Sequence, residues 1–227
     1  MSITTTHLTR GAGLAAVAAG LLFIGVQINH PPLDLALVTM SEWVVRETMK
    51  LLVSVLGLIG ITGMYLAQVK KAGPLGLAGY GIFGAGFLIM LTVQVVGVVV
   101  LPTIAQTAPG YVSDVLAVAG GGAAMGDIGF MKILTLLGGV TYLAGGLVFG
   151  IALFRANVLA RWASILLAAS TTLSAAIPLL PWINQRLFAV PTGVALIALG
   201  SSLWRQQTTH VNVTAESSRS AESAVVR

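Results

Sequence analysis

The chain has 227 residues, of which 56% are hydrophobic and only 8% are charged, and it contains no cysteine. Soluble domains carry about 25% charged residues, so this composition excludes an ordinary soluble domain. The missing thiols exclude disulfides, thiolate metal sites and cysteine nucleophiles. The formal net charge of +5 does not indicate nucleic-acid binding, because the basic residues are scattered at the ends of apolar segments instead of forming one basic face.

Six stretches contain no Asp, Glu, Lys, Arg or His: residues 11–29, 51–69, 72–113, 133–154, 162–185 and 187–204. Five of them are about as long as the roughly 20 apolar residues that cross about 30 Å of hydrocarbon, and the third, 72–113, is too long for one span and must include a loop. The sequence therefore predicts an all-α fold, a polytopic transmembrane helical bundle of six spans. The predicted transmembrane domain covers residues 11–205, between a cytoplasmic N-terminus (1–10) and a disordered cytoplasmic tail (206–227). Its six spans are predicted near residues 11–28, 48–69, 75–101, 131–154, 159–180 and 187–204.

The first span leads into Gln27, Asn29, His30 and Pro31 rather than a small-residue cleavage site, so we interpret it as retained and not as a signal peptide. A helix is predicted over residues 41–50, where Ser41 can act as the N-cap. Its charged residues have the spacing of ion pairs, i,i+4 for Glu42 and Arg46 and i,i+3 for Glu47 and Lys50.

Pro102 is expected to end the third span, because proline cannot continue a helical hydrogen-bond ladder. Residues 103–130 then read as an extramembrane loop with turn signals at 108–110, 120–122 and 126–127, and with a short helix over 111–119. Pro178, Pro181 and Trp182 mark the turn between the fifth and sixth spans.

The distribution of basic residues predicts the orientation of the chain. One side carries six of them near span ends and the other carries four: Arg10, Lys70, Lys71, Arg155, Arg161 and Arg205 against Arg46, Lys50, Lys132 and Arg186. Under the positive-inside rule the first side is cytoplasmic. We therefore expect a multi-pass protein of the plasma membrane with both termini in the cytoplasm.

Small residues recur at helical spacing along several spans. Examples are Ala12-Ala16-Gly20, Gly57-Gly60-Gly63, Gly146-x-x-x-Gly150 and the fifth-span ridge of Ala160, Ser164, Ala168, Thr172 and Ala176. In lipid, such residues let helix backbones approach closely. We expect most of them to pack the bundle, and the alternative is a homodimer face on the fifth span or at Gly146–Gly150.

The candidate ligand-binding residues lie toward the outer face. Glu47, Lys50 and Arg186 are predicted to point into an outward vestibule, with Asp114 and Asp127 in the neighbouring loop. Ordinary surface ion pairs and a snorkelling Lys50 are the alternatives. Gln94 lies within an apolar span. Because a buried amide needs a partner, it is expected to bond Thr135, Thr141 or Tyr142 across helices, or to line a pocket.

No cofactor or metal site is predicted. His30 and Asp34 alone are too few ligands for a metal ion. No nucleophile motif surrounds a serine, so no catalytic residue is assigned and an enzyme is not expected.

Three segments resemble a family of small, six-span integral membrane proteins of bacteria, of actinobacterial type. They are Gln27-Ile28-Asn29-His30-Pro31-Pro32, the loop Tyr111-Val112-Ser113-Asp114-Val115-Leu116, and the turn Phe154-Arg155-Ala156-Asn157-Val158-Leu159-Ala160-Arg161-Trp162. The resemblance covers roughly residues 10–205 and implies a six-span bundle. It implies no activity, because none is assigned to that family, and it carries no functional residue.

Three functions are compatible with this pattern. The first is a non-catalytic membrane protein that binds a lipid or small apolar ligand, or serves as an accessory subunit beside a homo-oligomer partner or another membrane protein. The second is a small transporter with an outward vestibule, favoured by a faint echo between residues 63–86 and 150–173. The third is an outer-face enzyme that uses Glu42, Glu47, His30 or Asp114.

Overall fold

The computed structural model describes residues 4–28, 30–175 and 189–206, and these ranges contain helices and no strand. In chain order they are α1 (Thr5–Gln27), α2 (Leu35–Val38), α3 (Ser41–Leu66), α4 (Val69–Val95), a π-helix (Val96–Val100), α5 (Leu101–Ile104), α6 (Pro109–Ala119), α7 (Phe130–Ala156), α8 (Arg161–Leu173) and α9 (189–206). The predicted all-α class is confirmed.

Four of these segments are long and apolar enough to cross a membrane: Thr5–Gln27, Ser41–Leu66, Val69–Ile104 and Phe130–Ala156. They correspond to the first four predicted spans. Helix α8 covers 13 residues of the predicted fifth span, and α9 covers most of the predicted sixth. The predicted turn at Pro178, Pro181 and Trp182 and the predicted tail after residue 206 lie outside the described residues.

The long helices run antiparallel between two ends of the bundle. At the turn end, α3 connects to α4 through residues 67–68, and α7 connects to α8 through residues 157–160. At the cap end, α2 and α6 lie across the helix termini and pack with α5 and the first turns of α3 and α7. Helix α1 begins at the turn end and α9 finishes there, since Gly13 faces Gly200 and the Gln206 amide donates to the Val158 carbonyl.

Glycine brings the helix backbones of the bundle into contact. A Cβ placed on Gly60 would lie 2.8 Å from the Ala16 side chain, which joins α3 to α1. On α4, a Cβ on Gly79 would lie 2.6 Å from the Phe149 amide nitrogen of α7. The Gly146–Gly150 face is covered by Thr171 and Ala168 of α8. The expected intramolecular packing is confirmed for the small faces of α1, α3, α4 and α7, and this glycine pair is not free to serve as a homodimer face. Of the fifth-span ridge, Ser164 and Ala168 are buried, Thr172 is exposed, and Ala176 lies outside the described residues.

Three expected helix boundaries are wrong. Pro102 does not end the third span, because the helical path continues through the π-helix and α5 to Ile104. Proline is tolerated near the start of a new helical segment, where its missing N–H has no partner to lose, and Pro102 is at such a position in α5. The second span begins at Ser41 instead of residue 48, because the charged segment before it is one continuous helix with it. The short loop helix begins two residues earlier than predicted, at Pro109.

Candidate functional site

A cavity of about 390 Å³ lies at the cap end between the two buried cores of the molecule. Its walls come from the end of α1, the start of α3, α4 with its π-helix, α6, α7 and the start of α9. Most lining side chains are apolar, and a few polar ones converge on it: Gln27, His30, Glu47, Lys50, Gln94 and Thr135. A mostly apolar pocket of about 300–1,000 Å³ with a few placed polar groups is the usual form of a small-molecule site.

Glu47 and Lys50 form an ion pair in this cavity. The Lys50 Nζ donates to Glu47 Oε1 at 2.5 Å, as the i,i+3 spacing predicted. The exposed fraction of the side chain is 6% for Glu47 and 23% for Lys50, so this is no ordinary surface pair. A buried carboxylate needs a cation beside it to offset the cost of leaving water. Each charge therefore neutralises the other at the cavity wall.

The π-helix shapes the floor under Glu47. The Trp43 Nε1 donates to the Gly97 carbonyl at 2.8 Å, which fixes α3 against the π-helix. A Cβ on Gly97 would lie 3.1 Å from Glu47 Oε2, so glycine lets the carboxylate sit directly on this backbone. π-helical turns within α-helices occur frequently at functional sites. Sequence reasoning missed Trp43 and Gly97; the glycine inside a run of valines at 95–100 was the available signal.

Gln94 does not form the expected interhelical hydrogen bond. Thr135 Oγ1 donates to its own helix at Met131 O (2.9 Å), and Thr141 Oγ1 donates to Leu137 O (2.6 Å). Tyr142 lies beside Thr192 of α9. Gln94 instead lines the cavity, half-buried, with no hydrogen bond to its side chain within the described part of the chain. Its amide is therefore available to a molecule in the cavity.

Arg46 supports the cavity wall from outside. Its Nη2 pairs with Glu42 Oε1 at 2.8 Å, as predicted, and its Nη1 donates to the carbonyls of Val26 (3.0 Å) and Ile28 (3.1 Å). A guanidinium at these positions satisfies carbonyl groups left free where α1 ends. These bonds hold the end of α1 against α3. Beyond it, His30 Nδ1 donates to the Pro31 carbonyl at 2.7 Å.

Asp114 and Asp127 are not brought to the cavity. Asp114 accepts hydrogen bonds from the backbone amides of Met125 (2.9 Å) and Gly126 (2.8 Å), and Asp127 accepts one from Gly129 (2.8 Å). Through these hydrogen bonds, both carboxylates stabilise the folded conformation of the connection between α6 and α7. Of the predicted ligand-binding residues, the structure brings Glu47, Lys50 and Gln94 together, while Arg186 lies outside the described residues.

Across the described ranges, no three His, Asp or Glu side chains are grouped as a metal ion would require. No protein-family model, no curated protein and no solved structure matches the chain.

Proposed function

We propose that this chain is a six-span, non-catalytic protein of the plasma membrane that binds a lipid or small apolar ligand in the cap-end cavity. The observation that carries the proposal is the cavity of about 390 Å³ with apolar walls and one internally neutralised ion pair. Apolar walls favour the burial of hydrocarbon, and the few polar groups orient whatever polar end the ligand has.

The engagement of the acidic groups supports a binding role over catalysis. Glu47 is paired with Lys50, Glu42 with Arg46, and Asp114 and Asp127 hold backbone amides. An acid–base enzyme needs two titratable groups that converge on a substrate. The outer-face enzyme is therefore the weakest of the three hypotheses.

A native mass spectrum of the protein, released from its own membrane in mild detergent, tests the binding role. We expect an added mass of one lipid or small molecule on the wild type. Thr135→Phe should abolish it, because Thr135 lines the cavity. Thr92→Phe is the matched control, since Thr92 also donates to its own helix but is exposed away from the cavity. A wild type without added mass, or equal retention by both variants, would contradict the proposal. A second copy or another subunit in the spectrum would instead favour the accessory role.

The proposed topology places the cap end outside and the turn end, with both chain termini, in the cytoplasm. The grouping of Arg10, Lys70, Lys71, Arg155, Arg161 and Arg205 at or near the turn end supports it under the positive-inside rule. Because the chain has no cysteine, single-cysteine variants can be labelled without background. An impermeant maleimide on intact cells should label Gln106→Cys at the cap end and spare Lys71→Cys and a cysteine at Ser218. Labelling of the last two only would reverse the topology.

The transporter is the second candidate, favoured by the change from α-helical to π-helical turns beside the cavity. π-helical turns occur frequently at functional sites. Proteoliposome flux of the ligand found in the native spectrum would distinguish transport from simple binding.

A further inference from the structure

The wall of the cavity reaches the molecular surface at Gly139 of α7, where the surrounding surface is apolar. Gly139 lines the cavity, yet it is exposed, and a Cβ built on it would meet no atom within 4 Å. A residue that borders both the cavity and the molecular surface marks a gap in the wall. The neighbouring Leu136, Leu137 and Val140 are 66%, 43% and 52% exposed, so the surface around this gap is hydrocarbon.

The gap lies at the depth of the bilayer interior. Gly139 is nine residues past the first residue of α7, Phe130, which corresponds to about 14 Å along the helix at about 1.5 Å per residue. It also lies within the charge-free stretch 133–154. Exposed Leu and Val at this depth of a membrane-spanning helix face lipid chains. The opening therefore connects the cavity with the acyl region and not with water.

The charged groups that line the cavity are Glu47 and Lys50 of α3, and their charges sum to zero. Glu47 and Lys50 neutralise each other, and Gln94 offers both a donor and an acceptor. A ligand with a net charge would bring an uncompensated charge into a largely apolar pocket, which is costly. A zwitterionic headgroup is complementary, because its anionic part can accept from Lys50 or Gln94 while its cationic part lies beside Glu47.

We propose that the occupant of the cavity is a zwitterionic phospholipid that enters laterally at Gly139, with its headgroup at Glu47, Lys50 and Gln94 and its acyl chains left in the bilayer. The inference rests on the proposed function and adds to it the ligand class and the route of entry. The cavity volume of about 390 Å³ suits a headgroup and the first part of the chains, so the remainder must leave through an opening.

The test uses the full chain reconstituted in vesicles that contain equal amounts of a zwitterionic and an anionic phospholipid, followed by mild extraction and native mass spectrometry. The wild type should retain one phospholipid with at least a fivefold preference for the zwitterionic class. Gly139→Phe should lower the retained fraction at least fivefold, because the ring fills the opening. Gly81→Phe is the matched control, since Gly81 is also exposed on a helix with nothing within 4 Å, and it should retain lipid like the wild type.

A second readout covers the case in which Gly139→Phe does not fold. In a variant whose other three tryptophans are replaced by Phe, Trp43 at the cavity wall should be quenched by zwitterionic lipid brominated near the headgroup. Gly139→Ala, a smaller plug, should reduce that quenching. Loss of ligand in Thr135→Phe with full retention in Gly139→Phe would overturn lateral entry but leave the binding function intact. Preferred retention of the anionic lipid would overturn the headgroup assignment, and no retained molecule in the wild type would reject the binding function itself.

Discussion

The two ends of this bundle use the same helices in opposite ways. Toward the turn end, glycines on one helix meet the backbone of the next, as Gly79 meets Phe149 and Gly145 meets Phe83, and little space remains between α4 and α7. Toward the cap end, α4 passes into a π-helix, and a cavity of about 390 Å³ opens. Close backbone approach stabilises the turn end. The cap end is less tightly packed and contains a pocket with polar groups.

The largest expected effect concerns the charge pair of the cap end. Lys50→Met leaves the Glu47 carboxylate, whose side chain is 6% exposed, without its cation. Breaking a buried pair by removing one partner costs about 3–5 kcal/mol, and we expect a loss near the lower limit because Lys50 is partly exposed. The midpoint of unfolding in an SDS titration measures it.

The converse substitution and the double variant sharpen this prediction. Glu47→Gln should cost less than Lys50→Met, since the long Lys50 side chain can turn its ammonium toward water. Glu47→Gln combined with Lys50→Met should recover most of the loss, because neither charge is then unpaired. Equal losses in all three variants would mean that these side chains contribute by packing instead of charge.

The second effect tests the turn-end region. In Gly145→Ala the new methyl group would lie 2.5 Å from the Phe83 Cα, so α4 and α7 must separate. Overpacking of this kind costs about 1–3 kcal/mol, and backbone cannot yield as a flexible side chain does, so we expect about 3 kcal/mol. The same SDS titration reports it.

Two other glycines provide the comparison for Gly145. Gly81→Ala and Gly139→Ala meet no atom within 4 Å and should leave the unfolding midpoint unchanged or slightly raised, since alanine favours helix. If Gly145→Ala were as stable as Gly81→Ala, the α4–α7 contact would not distinguish the two ends of the molecule.

Apolar periodicity and charge were sufficient to predict much of the fold. The charge-free stretches located the four long helices, and the small residues at helical spacing identified faces that do pack within the bundle. These features are local, because hydrocarbon requires the length and polarity of each span independently of its neighbours. The ion pair of Glu47 and Lys50 was likewise readable from i,i+3 spacing.

The cavity could be predicted from the sequence only in part, because its shape depends on how helices that are distant in sequence pack together. Gln94 and Thr135 approach the same space from α4 and α7, yet nothing in either helix alone distinguishes a pocket from a hydrogen bond between them. The expected role of Asp114 and Asp127 failed for a similar reason: an Asp beside glycines either faces a ligand or folds its own loop, and here both accept from loop amides.

A smaller effect is expected where the cavity meets the π-helix. Trp43→Phe removes the indole N–H that donates to the Gly97 carbonyl at 2.8 Å and leaves that carbonyl without its side-chain partner. The loss of such a bond costs about 1–3 kcal/mol, so the unfolding midpoint should shift less than for Lys50→Met. The ligand retained in the native spectrum should also decrease, because Glu47 rests on Gly97. Retention at the wild-type level would separate the π-helix from the site.

The smallest effect lies between the two regions, in a polar chain that joins α7, α8 and α9. Thr192 Oγ1 donates to Ser170 Oγ at 2.9 Å, and Tyr142 lies beside Thr192. Thr192→Val preserves shape and removes the bond to Ser170. Hydrogen bonds between membrane helices average about 0.6 kcal/mol and reach about 1.7, so we expect a loss of about 1 kcal/mol. A double-mutant cycle with Ser170→Ala should show coupling of about 0.5 kcal/mol or more, since both substitutions remove the same bond. If the two losses of stability were strictly additive, glycine packing alone would hold α8 against α9 near Thr192. The boundary between the closely packed turn end and the open cap end would then lie closer to the cap end.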